Sequence, residues 1–406
     1  MTAQLSPKRE LWLLLTLAGV EFTHILDFMS MMPLRPQFTK IFSITDAQFG
    51  LLVSAYTFAA GASGLMAATY LDKFDRKRLL LTLYVLFGLA TLACGLASTY
   101  YSLMAARVLA GVFGGVLSAL SQTIVADVIP FERRGRAMGI VMTSFSVATV
   151  AGVPSSLFLA AHFSWHAPFF GIAALVGLLA VGAALTLPRL SDHLRPGGQS
   201  SAYLNIRRVL TDANHLKAFA FSGLLMFAGF TVIPYITLYL TANVGWRIDQ
   251  VPYVYLCGGL VTLVTAHWVG ALTDRRGKVV MFRLMALLVT VPLVAITLTA
   301  GLPVWAVLIV SSAFFACMSG RMIPGMAIVT SAANPAFRGT FMALNSAVQS
   351  ASMGLAAFTG GLIISRNADN LVQNYWMVSL VGVAASLAAI YTAGQLKLYQ
   401  SAPSKP

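Results

Sequence analysis

Charge is what this chain has least of. Asp, Glu, Lys and Arg make up 10% of its 406 residues, against about a quarter in soluble domains. Hydrophobic residues are 58% and mean hydropathy is +0.79, which excludes a soluble globular domain. Acids are scarcer still, 13 against 27 basic residues, for a net charge of +14. Such an excess can signal nucleic acid. Here the Lys and Arg fall in short clusters between apolar runs, so membrane topology accounts for them and no nucleic-acid partner is expected. The three cysteines, Cys94, Cys257 and Cys317, each sit in an apolar run without metal-ligand spacing and read as small packing residues. No Gly-x-x-x-x-Gly-Lys-Ser/Thr loop occurs, which argues against direct ATP drive. No nucleophile or metal constellation supports an enzyme. Neither a metal nor an organic cofactor is expected. The first apolar stretch lacks a small-residue cleavage site and outruns a signal peptide, so it is expected to stay in the mature protein.

What the chain has is long apolar runs. A spanning helix needs about 20 such residues, and twelve stretches qualify. In the first half they are 10–33, 46–71, 78–98, 101–128, 135–161 and 167–188. In the second they are 217–242, 251–272, 279–300, 302–329, 338–365 and 371–396. The expected fold is an all-α membrane protein, twelve transmembrane helices in two six-helix bundles. The bundles cover 1–188 and 217–406, joined by a polar linker, 189–216, that holds Pro196, Gly197, Gly198, Ser200 and Ser201. The end of the linker, Tyr203 to Lys217, has the pattern of a basic amphipathic surface helix. With the N-terminus inside, most Lys and Arg fall on the cytoplasmic face and only Arg35, Lys40, Arg247 and Arg366 on the other. That bias puts both termini in the cytoplasm. The expected setting is a lipid bilayer, with the chain a multi-pass monomer.

Ionisable residues inside a membrane are costly and therefore read as functional. Glu21, His24 and Asp27 stand three residues apart within Leu11 to Leu34, so a helix carries them on one side. At about 1.5 Å per residue, Glu21 is roughly 16 Å and Asp27 roughly 25 Å from Glu10. Arg107 is roughly 9 Å from the opposite start of its helix, at the depth of Asp27. The two are expected to pair, with Asp27 the main protonation site and Arg107 tuning it. Glu21, near the midplane, is where proton and substrate are expected to compete, and His24 is placed to relay between the acids. In the second half, 202 residues on, Gly223 and Gly229 replace the acids, so proton chemistry is confined to the first half. Arg321, in a Gly- and Pro-containing stretch, has three readings. It holds an anionic or polyhydroxyl substrate, pairs with Glu21 across the cavity, or belongs to a cytoplasmic-side latch. Gln122, Asn345 and Gln349, with the aromatic Tyr56, Phe230 and Tyr235, are expected to line the substrate cavity.

The loop after the second stretch runs from Gly64 to Asp72 and then Lys73, Asp75, Arg76, Lys77 and Arg78. The loop after the eighth runs from Gly270 to Asp274 and then Arg275, Arg276, Gly277 and Lys278. Asp72 and Asp274 mark an internal repeat. The paired loops resemble the signature of the major facilitator superfamily, although the first copy has Asp75 where a glycine is usual. Arg107-Val-Leu-Ala-Gly111-Val-Phe-Gly114-Gly115 resembles the fourth-helix motif of its proton-coupled members. Ala148-Thr-Val-Ala-Gly152-Val-Pro154 resembles the antiporter motif of the drug- and sugar-efflux branch, with Ser155 and Ser156 replacing the usual Leu and Gly. Trp165-His166 stands where that family has Trp-Arg. The resemblance implies that Asp72, Arg76 and Asp127 form a cytoplasmic gating latch, repeated at Asp274, and that Gly152 and Pro154 let a helix flex. It further implies a secondary transporter, driven by the proton gradient across a bacterial inner membrane, that exports a small organic molecule such as a drug or sugar by alternating access. Two alternatives stand beside this reading. One is a symporter or facilitator importing an anionic metabolite through Arg321, the other a non-transporting sensor on a transporter scaffold.

Overall fold

The computed structural model describes residues 7–70, 74–129, 134–187, 202–334 and 338–399. Asp72 falls outside them, as do the side chains of Gln122, Asp127 and Asp274. In a bilayer every backbone N–H and C=O must be satisfied within the protein, and helices do so segment by segment.

The first half consists of α1 (Pro7–Met31), the short α2 (Arg35–Phe42), α3 (Asp46–Tyr70), α4 (Arg76–Leu96) and α5 (Tyr100–Val128). It continues with α6 (Arg134–Val147), a π-turn (Ala148–Gly152), α7 (Val153–His162) and α8 (Ala167–Thr186). A surface helix, α9 (Ala202–Thr211), leads to the second half. There follow α10 (Ala213–Phe230), α11 (Ile236–Ala242), α12 (Val251–Arg276), α13 (Lys278–Leu288) and α14 (Thr290–Ala295). The chain ends with α15 (Val304–Ala332), α16 (Arg338–Ile363), a hairpin of β1 (Ser365–Arg366) and β2 (Val372–Gln373), and α17 (Tyr375–Ala393). Eleven segments among the described residues are long and apolar enough to cross a membrane. The twelfth segment of the fold, α16, carries Asn345, Gln349, Ser350 and Ser352 and buries Asn345, while Gln349 bonds Ser222 of α10.

Local chemistry sets the ends of these helices. Asp75, the residue that departs from the loop pattern, is the N-cap of α4, accepting from the Arg78 N–H at 2.8 Å. Such a cap contributes about 1 kcal/mol. Lys77 then donates to the last carbonyls of α8, Ala184 O at 2.8 Å and Leu187 O at 2.6 Å. Thr99 and Ser102 close α5 with a reciprocal capping box. The surface helix stops earlier than its basic pattern suggests, at Thr211. Asp212 accepts from the Asn214 and His215 N–H groups and so starts a new helix, leaving Lys217 in the bundle. In the second loop copy, Gly277 has φ 90°, a conformation that favours glycine.

The halves meet along two lines. Helix α3 packs antiparallel on α16, with Ser54 Oγ donating to Gly354 O at 2.6 Å. The π-turn and α7 pack on α12, where a Cβ on Gly259 would come within 2.7 Å of Val150. At the end that carries α2, Asp46 receives Arg35 at 2.5 Å and Arg366 at 3.4 Å. Burial pulls the Arg35 guanidinium below its ordinary value, and Asp46 opposes that shift.

Candidate functional site

Helices α1 and α5 run antiparallel, and the three ionisable residues of α1 meet α5 in order. Glu21 faces Ser118 and Ser121, His24 lies against Gly114, and Asp27 meets Arg107. A Cβ on Gly114 would stand 2.6 Å from the His24 ring and 2.7 Å from the Tyr56 hydroxyl, so only glycine admits both side chains. At the next residue, a side chain on Gly115 would run into the backbone of Ala60 in α3. The glycines of the fourth-helix motif therefore bring α3, α5 and α1 to one point.

At that point Arg107 Nη1 donates to Asp27 Oδ2 at 2.7 Å, and both side chains are 0% exposed. The guanidinium sits 4.3 Å from the centroid of the Tyr56 ring, a cation–π contact that offsets part of its desolvation. Tyr56 stacks on Phe28 at 5.5 Å, and Phe28 reaches Phe230 of the second half at 5.9 Å. The pair is thus sealed by an aromatic chain that crosses between the halves. Around it several buried polar atoms make no hydrogen bond within the protein: both ring nitrogens of His24 and the Tyr56 hydroxyl. Buried polar atoms normally find partners, so this group is where a proton carrier or a polar ligand gains most.

The second half is arranged differently. Arg321 is also buried, but it donates to Leu225 O at 2.9 Å and to Ser386 Oγ at 3.1 Å. It does not meet Glu21, and among the described residues no carboxylate pairs with it. Gln349 donates to Ser222 Oγ at 2.8 Å, tying α16 to α10. Tyr235 lies at the α2 end, its hydroxyl donating to Ala357 O. Among the described residues no three His, Cys, Asp or Glu side chains are grouped to hold a metal.

Of the residues expected to gate, Arg76 is buried in the first turn of α4. Gly152 ends the π-turn, and a Cβ there would meet Leu26 of α1 at 2.7 Å. Pro154 follows in the first turn of α7. Of the departures from the family's motifs, Ser155 is exposed while two others have structural partners. Ser156 accepts from Ser30 of α1 at 2.8 Å, and His166 reaches Gly95 O at 2.6 Å while stacking on Trp165. Sequence reasoning missed the Arg35, Asp46 and Arg366 cluster. Arg35 and Arg366 were visible only as rare basic residues on the sparse face, and nothing singled out Asp46.

These features match proteins that move solutes. The family model described as Major Facilitator Superfamily fits residues 17–357. The chain is 26% identical over 341 residues to the uncharacterized MFS-type transporter YtbD of Bacillus subtilis (strain 168), covering 83% of this chain and 84% of that one. It is 22% identical over 352 residues to a probable sugar efflux transporter of Pasteurella multocida (strain Pm70), covering 86% and 82%. A crystal structure of a D-xylose-proton symporter superposes with a TM-score of 0.77 at 16% identity, over 95% of this chain and 97% of that one. With twelve helical segments in two packed halves and a family model that spans most of its length, the chain belongs to the Major Facilitator Superfamily and is a multi-pass membrane transporter rather than an enzyme.

Proposed function

We propose that this transporter exports a small organic molecule in exchange for protons, with Asp27 as the coupling acid. One observation carries the reading, the buried 2.7 Å pair of Asp27 with Arg107. Protonating Asp27 cancels half of that pair and frees Arg107, so proton occupancy and local packing change together. Glu21, His24 and Tyr56 lie beside it with polar atoms to spare, in reach of a substrate near the midplane. Competition between proton and substrate for Glu21 gives exchange, and the proton gradient supplies the energy. The efflux-type motif at 148–154 and the similarity to a probable sugar efflux transporter favour export. The basic loops favour both termini in the cytoplasm. Arg321, charged and without an acid partner among the described residues, supports a second reading, import of an anionic metabolite with or without protons.

Proton release from purified protein in weakly buffered detergent separates the two. Cationic drugs, sugars and organic anions are added in turn, and pH is read. Export by antiport predicts release with a binding ligand, lost in Asp27→Asn or Glu21→Gln. Asp27→Asn is also expected to reduce gradient-driven accumulation in vesicles to the level of protein-free controls, while substrate exchange continues. Binding without release, or with proton uptake, overturns antiport.

A further inference from the structure

At the α2 end the halves are held by charges that belong to neither the proton site nor the signature loops. Arg35 is 0% exposed and pairs with Asp46, the first residue of α3, at 2.5 Å. Both belong to the first half. From the second half comes Arg366 on β1, its Nη2 3.4 Å from the same carboxylate. The Arg35 guanidinium also lies 4.3 Å over the ring of Tyr235, again from the second half, and 5.1 Å from Phe49. The Tyr235 hydroxyl reaches across to α16 at Ala357 O. The hairpin that carries Arg366 is fixed to its own half, because Asn243 bonds both backbone groups of Val372 at 2.9 Å. Arg366 therefore moves with the second half and Asp46 with the first.

We infer that Arg35, Asp46, Arg366 and Tyr235 form a reversible gate that closes the α2 end of the transport path. The division of partners explains the reversibility. When the halves separate, Asp46 gives up Arg366 but keeps Arg35, so no carboxylate is left buried without a counter-charge. Arg366 is 28% exposed and borders an open cavity of about 710 Å³ that Lys40, Thr45 and Asn370 also line, so water takes over its hydration as it leaves. The cation–π contact and the cross-half ion pair that break are each modest interactions, and the Ser54 hydrogen bond to Gly354 O opens with them. The gate shares no residue with the Asp27 site.

The test reads the conformation directly, without substrate or a proton gradient. Ser54, buried where α3 meets Gly354, is changed to Cys in the full-length chain after Cys94, Cys257 and Cys317 are changed to Ala. Labelling by a membrane-impermeant maleimide is then timed from each side of the membrane. Arg366→Gln is expected to speed labelling from the α2 side about fivefold, the shift a partly exposed ion pair can supply. Arg366→Lys should stay near the parent rate, and Arg366→Glu, a like charge beside Asp46, should exceed Arg366→Gln. Tyr235→Phe, which loses only a bond within the second half and keeps the ring over Arg35, should stay near the parent rate. Monodisperse elution of each variant establishes that it is folded. Unchanged labelling in folded Arg366→Gln and Arg366→Glu overturns the gate.

Discussion

The two halves each bury an arginine in equivalent helices, α5 and α15, and answer it in opposite ways. In the first half Arg107 is neutralised by Asp27. In the second, Arg321 is met by the Leu225 carbonyl and the Ser386 hydroxyl. The same contrast runs through α10, where Gly223 and Gly229 stand at the repeat positions of Glu21 and Asp27, and Gly229 packs beside Met318 and Arg321. A duplicated scaffold has thus kept its geometry while dividing its chemistry. The first half holds a cation paired with a carboxylate, and the second a cation met only by neutral acceptors.

The largest effect that would break this comparison is steric. Gly115→Val drives a side chain into the Ala60 backbone, which cannot yield, and is expected to cost about 3 kcal/mol. Yield and thermal midpoint in detergent would show it. On the other half, Gly325→Ala meets only the flexible end of Leu225, 2.7 Å away, and should cost less than about 1 kcal/mol. Electrostatics come next. Arg107→Met leaves Asp27 buried without its partner and should destabilise by about 3 kcal/mol, whereas Arg321→Met strands no carboxylate and should cost well under that. Equal shifts in midpoint would erase the distinction between the halves. Arg321→Met is also expected to alter substrate affinity and leave proton coupling in place. The smallest effect is at Ser156, where Ser156→Ala removes one buried hydrogen bond to Ser30. A loss of about 1 kcal/mol, with transport nearly unchanged, would mark the departure from the efflux motif as structural.

Much of this was legible in the chain. Apolar length alone placed the helices, because a bilayer forces the backbone into them. The meeting of Asp27 and Arg107 followed from helical rise in two antiparallel segments. Other features resisted for identifiable reasons. Arg366 and Asp46 are 320 residues apart, and no periodicity links a short hairpin to the start of a distant helix. Asp75 looked like a flaw in a loop motif until its bond to Arg78 made it a cap. The fate of Arg321 depended on a backbone carbonyl, an acceptor every residue has and no residue type advertises.

The π-turn carries a consequence for how the fifth segment can evolve and move. There the Val153 N–H reaches back to Ala148 O, five residues rather than four, and Pro154 follows with no N–H to offer. The segment therefore contains one residue more than a continuous α-helix of the same length would hold. Each residue turns an α-helix by about 100°, so removing one from 148–152 would swing the whole of α7 around its axis. Ser156 would leave Ser30, and the face now turned to α12 would point elsewhere. The extra residue acts as a phase setting: it decides which side of α7 each half of the molecule touches, without changing a single side chain.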